Sequence, residues 1–212
     1  MAGHGLGSAA SALLSSRFML QDAAMNAPAP LLEQLRTRNS APRLTGPAPT
    51  EAEVEEMIRC ALRSPDHCRL RPWRFLSFRD SRRSDLGELL VRSLMRCDPL
   101  ADEDAIARAR AAPLRAPLVM AVFAVIREHP KVPAWEQRLS AGCTAFAIEL
   151  AAEAMGYAGV WRTGSYAGDR QLVQDLGGAD NEEIVAFLYL GTRDGDPKPL
   201  PELEPADFHR SW

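Results

Sequence analysis

The chain has 212 residues, 46% of them apolar and 25% charged, with a formal net charge of −3. That suffices for one large or two small globular units, and the slightly acidic balance gives no electrostatic case for nucleic acid or an anionic membrane. Four cysteines with no C-x-x-C and no paired spacing to the four histidines make a zinc site improbable, and no stretch approaches the ~20 apolar residues of a bilayer span.

Residues 1–27 are rich in Gly, Ala and Ser with little periodicity. They show no clear secretory core and cleavage pattern, so a reducing cytoplasm with free thiols is the default. We expect them to be a mobile extension, with Met25-Asn26-Ala27-Pro28 as a plausible native start and 28–212 forming one domain. A short helix is predicted over 31–37, leading into R-T-R-N-S-A-P-R-L (residues 36–44). Thr50-Glu51-Ala52-Glu53 has capping-box spacing, and Val54, Met57, Ile58, Ala61 and Leu62 form one helical face behind it. That helix must stop near Ser64, because Pro65 disfavours helical geometry in the residue before it.

The stretch S-P-D-H-C-R-L-R-P-W-R-F (residues 64–75) then crowds Asp, His, Cys and several arginines into a loop between two regular elements. A strand is predicted at 74–79, a helix at 84–95 with Leu86, Leu89, Leu90 and Leu94 inward, and a polar helix at 102–112 closed by Pro113. LVMAVFAVI (118–126) is a continuous, partly β-branched run, as in a central strand. The longest helix is predicted over 140–155, Ala-rich, apolar on most sides and so largely enclosed, with Gly156 as its stop. Residues 158–162 make a short strand, 169–176 a helix, and EIVAFLYL (183–190) a second central strand. From Gly191 a proline-rich, extended tail follows. About four strands with interspersed helices, not in regular β-α units, predict an α+β class.

No G-x-G-x-x-G follows a strand, no phosphate-binding Walker loop is present, and no G-x-S-x-G elbow supports a serine nucleophile. Cys143 with His67 or His129 could mimic a thiol pair, but Cys143 falls inside the apolar helix, where cysteine is normally inert. Three clusters remain: Arg36/Arg38/Ser40/Arg43, Asp66/His67/Arg69/Arg71, and Trp161-Arg162-Thr163-Gly164. Taken singly, each reads more readily as solvated surface or packing than as a site.

Taken in order they have a further meaning. R-N-S-A-P-R-L, A-L-R-S-P-D-H-C-R-L-R-P-W-R-F, S-A-G-C, A-A-E-A-M-G, G-V-W-R-T-G and F-L-Y-L-G-T follow one another over roughly residues 30–195. In this order the chain resembles the nitroreductase family of FMN oxidoreductases, in particular a compact bacterial subgroup. The resemblance implies a nitroreductase-like α+β fold: a central, mostly antiparallel sheet flanked by helices, in a two-fold intertwined homodimer with FMN at the interface. It implies that Arg38, Asn39 and Ser40 hold the FMN phosphate and ribityl chain. His67 and Arg71 would then lie beside the ring, and Trp161, Arg162 and Thr163 on its other side. Residues 151–156 fall where nicotinamide contact is expected, a stretch that reads equally as a buried helix end.

The implied activity moves electrons from NAD(P)H through FMN to a nitroaromatic or quinone-like acceptor by a ping-pong route, with no side-chain catalyst and no metal. A non-catalytic flavin-binding protein, or a flavin-free one, with a sensing or storage role is the alternative on the same scaffold. Two departures stand out: Asn39 replaces an arginine, and Arg71 replaces a glutamine that could both donate and accept. The over-apolar helix and the tail both need a covering surface, which predicts a dimer interface well above the ~1,600 Å² of a standard contact.

Overall fold

The computed structural model describes residues 30–212. The expected extension at 1–27 lies outside the described residues. The chain divides into two units, residues 1–37 and 38–212. Of the first, only helix α1 (Pro30–Thr37) is described, and it buries none of its own side chains.

The second unit is built on a five-stranded sheet in which every described pairing is antiparallel. Strand β3 (Leu118–Val125) lies between β2 (Trp73–Arg79) and β5 (Glu182–Arg193). The other edge of β5 is shared end to end by β1 (Leu44–Thr45) and β4 (Ala158–Arg162). The α+β architecture predicted from the interspersed elements is therefore the one observed, with a fifth, two-residue strand added.

Seven of the eight β3 residues are buried, because both faces of the sheet are covered. Leu118, Met120 and Val122 join a core with Val54 and Met57 of α2 (Glu51–Ala61) and Ala145 and Ile148 of α5 (Ala134–Ala154). Val119, Ala121 and Phe123 face the opposite core, with Leu86 and Leu90 of α3 (Ser81–Cys97) and Leu172 of α6 (Arg170–Asp175). This two-residue alternation explains why the run reads as continuously apolar. A polar helix, α4 (Glu103–Ala111), is capped by the Asp102 carboxylate on the Ala105 amide and packs beside α3.

The predicted capping box is formed, Thr50 and Glu53 exchanging bonds at 2.8 and 3.3 Å. Helix α2 stops at Ala61, so Leu62 is an exposed cap rather than part of the buried face. Helix α5 begins six residues before the predicted start. Pro133 precedes it, and the buried Gln137 amide group bonds Arg127 N–H and the carbonyls of Arg127 and Val132, tying that first turn to the end of β3. These are tertiary bonds that local periodicity does not carry.

Helix α5 is also less enclosed than predicted. Its inner face, including Ala141, Ala145, Ile148 and Ala152, is buried, while Trp135, Leu139 and Phe146 are exposed. Cys143, expected to be inert inside the helix, is exposed with them, and all four cysteines are free. Among the described residues no helix is long and apolar enough to cross a membrane.

Candidate functional site

The loop between α2 and β2 is held in an uncommon backbone shape. Cys68, Arg69 and Arg71 take φ of 61°, 54° and 48°, a left-handed region that non-glycine residues enter at a cost of ~1–3 kcal/mol when the surroundings demand it. The surroundings do so in three places. The Asp66 carboxylate accepts the Leu70 and Arg71 amides at 3.0 and 2.7 Å, and the Arg127 guanidinium donates to the Leu70 carbonyl. His67 Nδ1 stands 2.8 Å from Glu136 Oε1, in the first turn of α5.

As a result the side chains spread outward. Arg63, Arg69 and Arg71 line a hollow of about 670 Å³ with Ser64 and Trp73. Their guanidinium groups form no ion pair among the described residues, since Asp66 is occupied with backbone amides. His67 borders a smaller cavity of about 240 Å³ with Glu136, Ser140 and Cys143.

The second cluster comes from β4, and the sheet splits it. Trp161 packs on the core shared with α5, whereas Arg162 points to the opposite face, its guanidinium 5.6 Å above the Tyr189 ring. Its buried Nε has no hydrogen-bond partner. Burial raises the Tyr189 pKa, with Arg162 and Arg115 pulling the other way. Thr163 returns to the Trp161 side, where its Oγ1 accepts the indole N–H at 2.9 Å and donates to the Val185 carbonyl at 3.4 Å. Val185 lies just past the last β4–β5 pair, Arg162 with Phe187, and at a bulge on its other edge: Val122 pairs with Ala186 and Phe123 with Ile184, leaving Val185 unmatched on β3. Val185, Trp161, Leu139, Cys143, Phe146 and Leu150 together line an apolar groove of about 790 Å³, with Ser64 and Pro65 at its edge.

The third cluster sits at the other end of α5. Ala41 N–H bonds the Gly159 carbonyl at 2.8 Å, seating the segment beside β4. The Asn39 amide group donates to the Lys198 carbonyl at 2.6 Å, and Arg193 donates to the Asn39 carbonyl at 2.6 Å. Arg38 and Ser40 are half-buried. The Arg38 guanidinium forms no ion pair among the described residues, although it lies within electrostatic reach of Glu149 and Glu153. Both carboxyls are pushed above their usual pKa by burial, with Arg38 pulling them back. Glu149 is nearly inaccessible and its Oε1 has no partner. Ala151 and Ala152, in the stretch where nicotinamide contact was expected, are buried as the inner face of the helix end.

One chain thus brings Trp161 and Thr163 together with the Ser64–Pro65 edge of the His67 loop. It does not bring Arg38, Asn39 and Ser40 to His67 and Arg71. His67 is held at Glu136 and Arg38 lies near Glu153, about 25 Å further along α5 at 1.5 Å per residue. Sequence reasoning missed Glu136, Glu149, and Arg63, whose guanidinium has no ion pair among the described residues. Arg63 had a signal, since it directly precedes Ser64-Pro65, whereas Glu136 and Glu149 are given roles only by tertiary contact.

The nitroreductase family model matches residues 35–192. The chain is 40% identical over 161 residues to the Escherichia coli K12 protein "Putative NAD(P)H nitroreductase YdjA", covering 76% of this chain and 87% of that one. The Haemophilus influenzae protein "Putative NAD(P)H nitroreductase" is 35% identical over 162 residues, with the same coverage. Among solved structures, the nitroreductase-like family protein from Bacillus cereus superposes with a TM-score of 0.75 at 18% identity, over 88% of this chain and 98% of that one. A Desulfovibrio desulfuricans protein in complex with FMN gives 0.68 at 18% identity, with the same coverage. The match begins before the Arg38 segment and ends within the long strand β5, taking in all three clusters, and the chain belongs to the nitroreductase family.

Proposed function

We propose that the protein is an FMN-dependent oxidoreductase that takes electrons from NAD(P)H and passes them to nitroaromatic or quinone-like acceptors. The observation that carries this reading is the apolar groove walled by Trp161 and edged by the His67 loop, with uncompensated arginines beside it. The chemistry of these groups suits a phosphorylated, planar, apolar ring. Arg38 and Ser40 supply a charged and a hydroxyl donor for a phosphate, and Arg38 is not consumed by an ion pair. Trp161 is anchored through Thr163 to the Val185 carbonyl, so it can offer a fixed face for stacking.

In this reading Arg38, Asn39 and Ser40 hold the phosphate and ribityl chain, while Trp161 and Thr163 flank the ring. Arg162, on the other face of β4, supports the strand from beneath. His67 and Arg71 line the ring's polar edge, and the positive charge of Arg71 favours the reduced, anionic form. Bound FMN supplies the hydride chemistry, which one open ring face serves in two successive half-reactions. The chain's residues bind, orient and exclude water.

The separation of about 25 Å along α5 makes the site a composite of two chains, with the His67 loop of one copy facing the Arg38 segment of the other. The exposed stripe of Trp135, Leu139 and Phe146, and the exposed Leu203, Phe208 and Trp212 of the tail, fit cover by a second copy. In this arrangement residues 28–212 act as one FMN-binding domain, and the four free thiols fit a reducing cytoplasm.

An absorbance spectrum of the purified protein with FMN tests the reading. Flavin bands that co-purify or titrate to saturation and bleach on adding NADPH are expected. Bound flavin that neither NADH nor NADPH reduces would leave a binding protein, and absence of binding would end the proposal. Sedimentation of Phe146→Asp alongside the native chain tests the composite site, since loss of the dimer should abolish flavin retention. A native monomer that holds FMN refutes it.

A further inference from the structure

We propose that Glu136 is a positioning residue for His67, fixing the imidazole so that Nδ1 faces the carboxylate and Nε2 is presented to the site. The inference deepens the flavin reading and rests on it for its consequence, though not for its geometry. Glu136 Oε1 and His67 Nδ1 are 2.8 Å apart across 69 residues of chain. Imidazole has two distinct nitrogens, and a carboxylate facing one of them holds a proton there. The neutral ring then has Nε2 as an acceptor, and the cation has Nε2–H as a donor, so the unoccupied nitrogen is the one left to act.

Both partners of the pair are themselves anchored. His67 belongs to the left-handed loop that Asp66 and Arg127 tie down. Glu136 adjoins Gln137, which is almost fully buried and makes three hydrogen bonds to the 127–132 segment. The carboxylate therefore stands on a rigid turn, and it grips the one ring in a loop otherwise shaped by backbone contacts. The cavity beside the pair, about 240 Å³ and bordered by Leu139, Ser140 and Cys143, adjoins the apolar groove through Pro65, Leu139 and Cys143. Asp66 borders the same cavity as the pair, while Arg138 of α5 lines the neighbouring groove and is paired with Glu183.

The test uses the full-length chain labelled with ¹⁵N in histidine. Long-range proton–nitrogen spectra, with His67 identified by its loss in His67→Ala, separate protonated from unprotonated ring nitrogens. The expected state of the neutral ring is Nδ1–H. Glu136→Ala should release it to the Nε2–H form that free imidazole prefers, whereas Glu136→Gln, whose carbonyl oxygen still accepts, should largely restore Nδ1–H. FMN titration by fluorescence quenching gives the consequence. Glu136→Ala should weaken binding roughly 3–10-fold, as for one lost polar contact, Glu136→Gln should recover most of it, and adding Glu136→Ala to His67→Ala should do no further harm. An Nε2–H ring in the native chain overturns the inference, as does full additivity of the two alanine variants. If the native chain binds no FMN, the flavin reading fails and the nitrogen spectra alone decide the role of Glu136.

Discussion

Replacing Glu182 by alanine should unseat the strand that carries the His67 loop into the sheet. Arg74, second residue of β2, donates to Glu182 from Nε at 3.0 and 2.9 Å and from Nη2 at 2.6 Å, while its guanidinium covers the Phe123 ring at 3.9 Å. The side chains are 31% and 10% exposed, so the pair is mostly withdrawn from water. Removing one member of a buried pair costs about 3–5 kcal/mol, because the remaining charge loses its partner without regaining full hydration. Arg74 reaches some solvent, which brings the expected loss to about 2–3 kcal/mol. For a chain of this size that lowers Tm by roughly 5–10 °C. Thermal unfolding followed by circular dichroism would measure it. The double variant Arg74→Met/Glu182→Leu should recover much of the loss, since it leaves no orphaned charge. A Glu182→Ala midpoint within about 1 °C of the parent would refute the reasoning. So would a double variant as unstable as the two single changes summed.

Arg38→Ala should weaken FMN binding by about 10–100-fold, the size of a lost charge-assisted bond, and leave riboflavin binding unchanged, since only FMN carries the phosphate. Equal losses for both ligands in fluorescence titrations would place Arg38 elsewhere. Arg71→Gln should lower the flavin midpoint potential measured by dye equilibration, because a cation near the ring favours the anionic reduced state. An unchanged or higher potential rejects that role. Glu149→Gln should stabilise the fold increasingly as pH rises above the ordinary carboxylate range. Burial raises the Glu149 pKa, with Arg38 opposing, so its contribution is complete below the unfolded-state value and is lost as pH rises through the folded one. Denaturant midpoints that differ equally at pH 5 and pH 8 would contradict this.

The elements most legible in the sequence are those whose cause is local. Thr50 and Glu53 cap a helix through contacts three residues apart, and the continuous, partly β-branched run from Leu118 to Val125 reads as a strand covered on both faces. The α+β class, the central strands and the three clusters followed from such patterns and from the order of motifs. The split of Trp161 from Arg162 follows from strand alternation in the predicted 158–162 strand, whereas the resemblance had set both residues on one side of the ring.

Other features have no local signature. The Val185 bulge exists only as a mismatch between β3 and β5, and the Thr163 anchor of Trp161 only as a contact between β4 and β5. The early start of α5 depends on Gln137 bonding back to Arg127, and the exposure of Cys143 depends on which face of that helix the sheet covers. Composition and periodicity determined which segments are helix or strand and which of their faces are apolar, because those properties depend on neighbours within one or two turns. Only the folded chain decided that His67 meets Glu136 across 69 residues and Arg74 meets Glu182 across 108, because such pairs form when distant segments return to the same place. The same return leaves Arg38 and His67 at opposite ends of one helix, so that the arrangement of chains, rather than the order of residues, completes the proposed site.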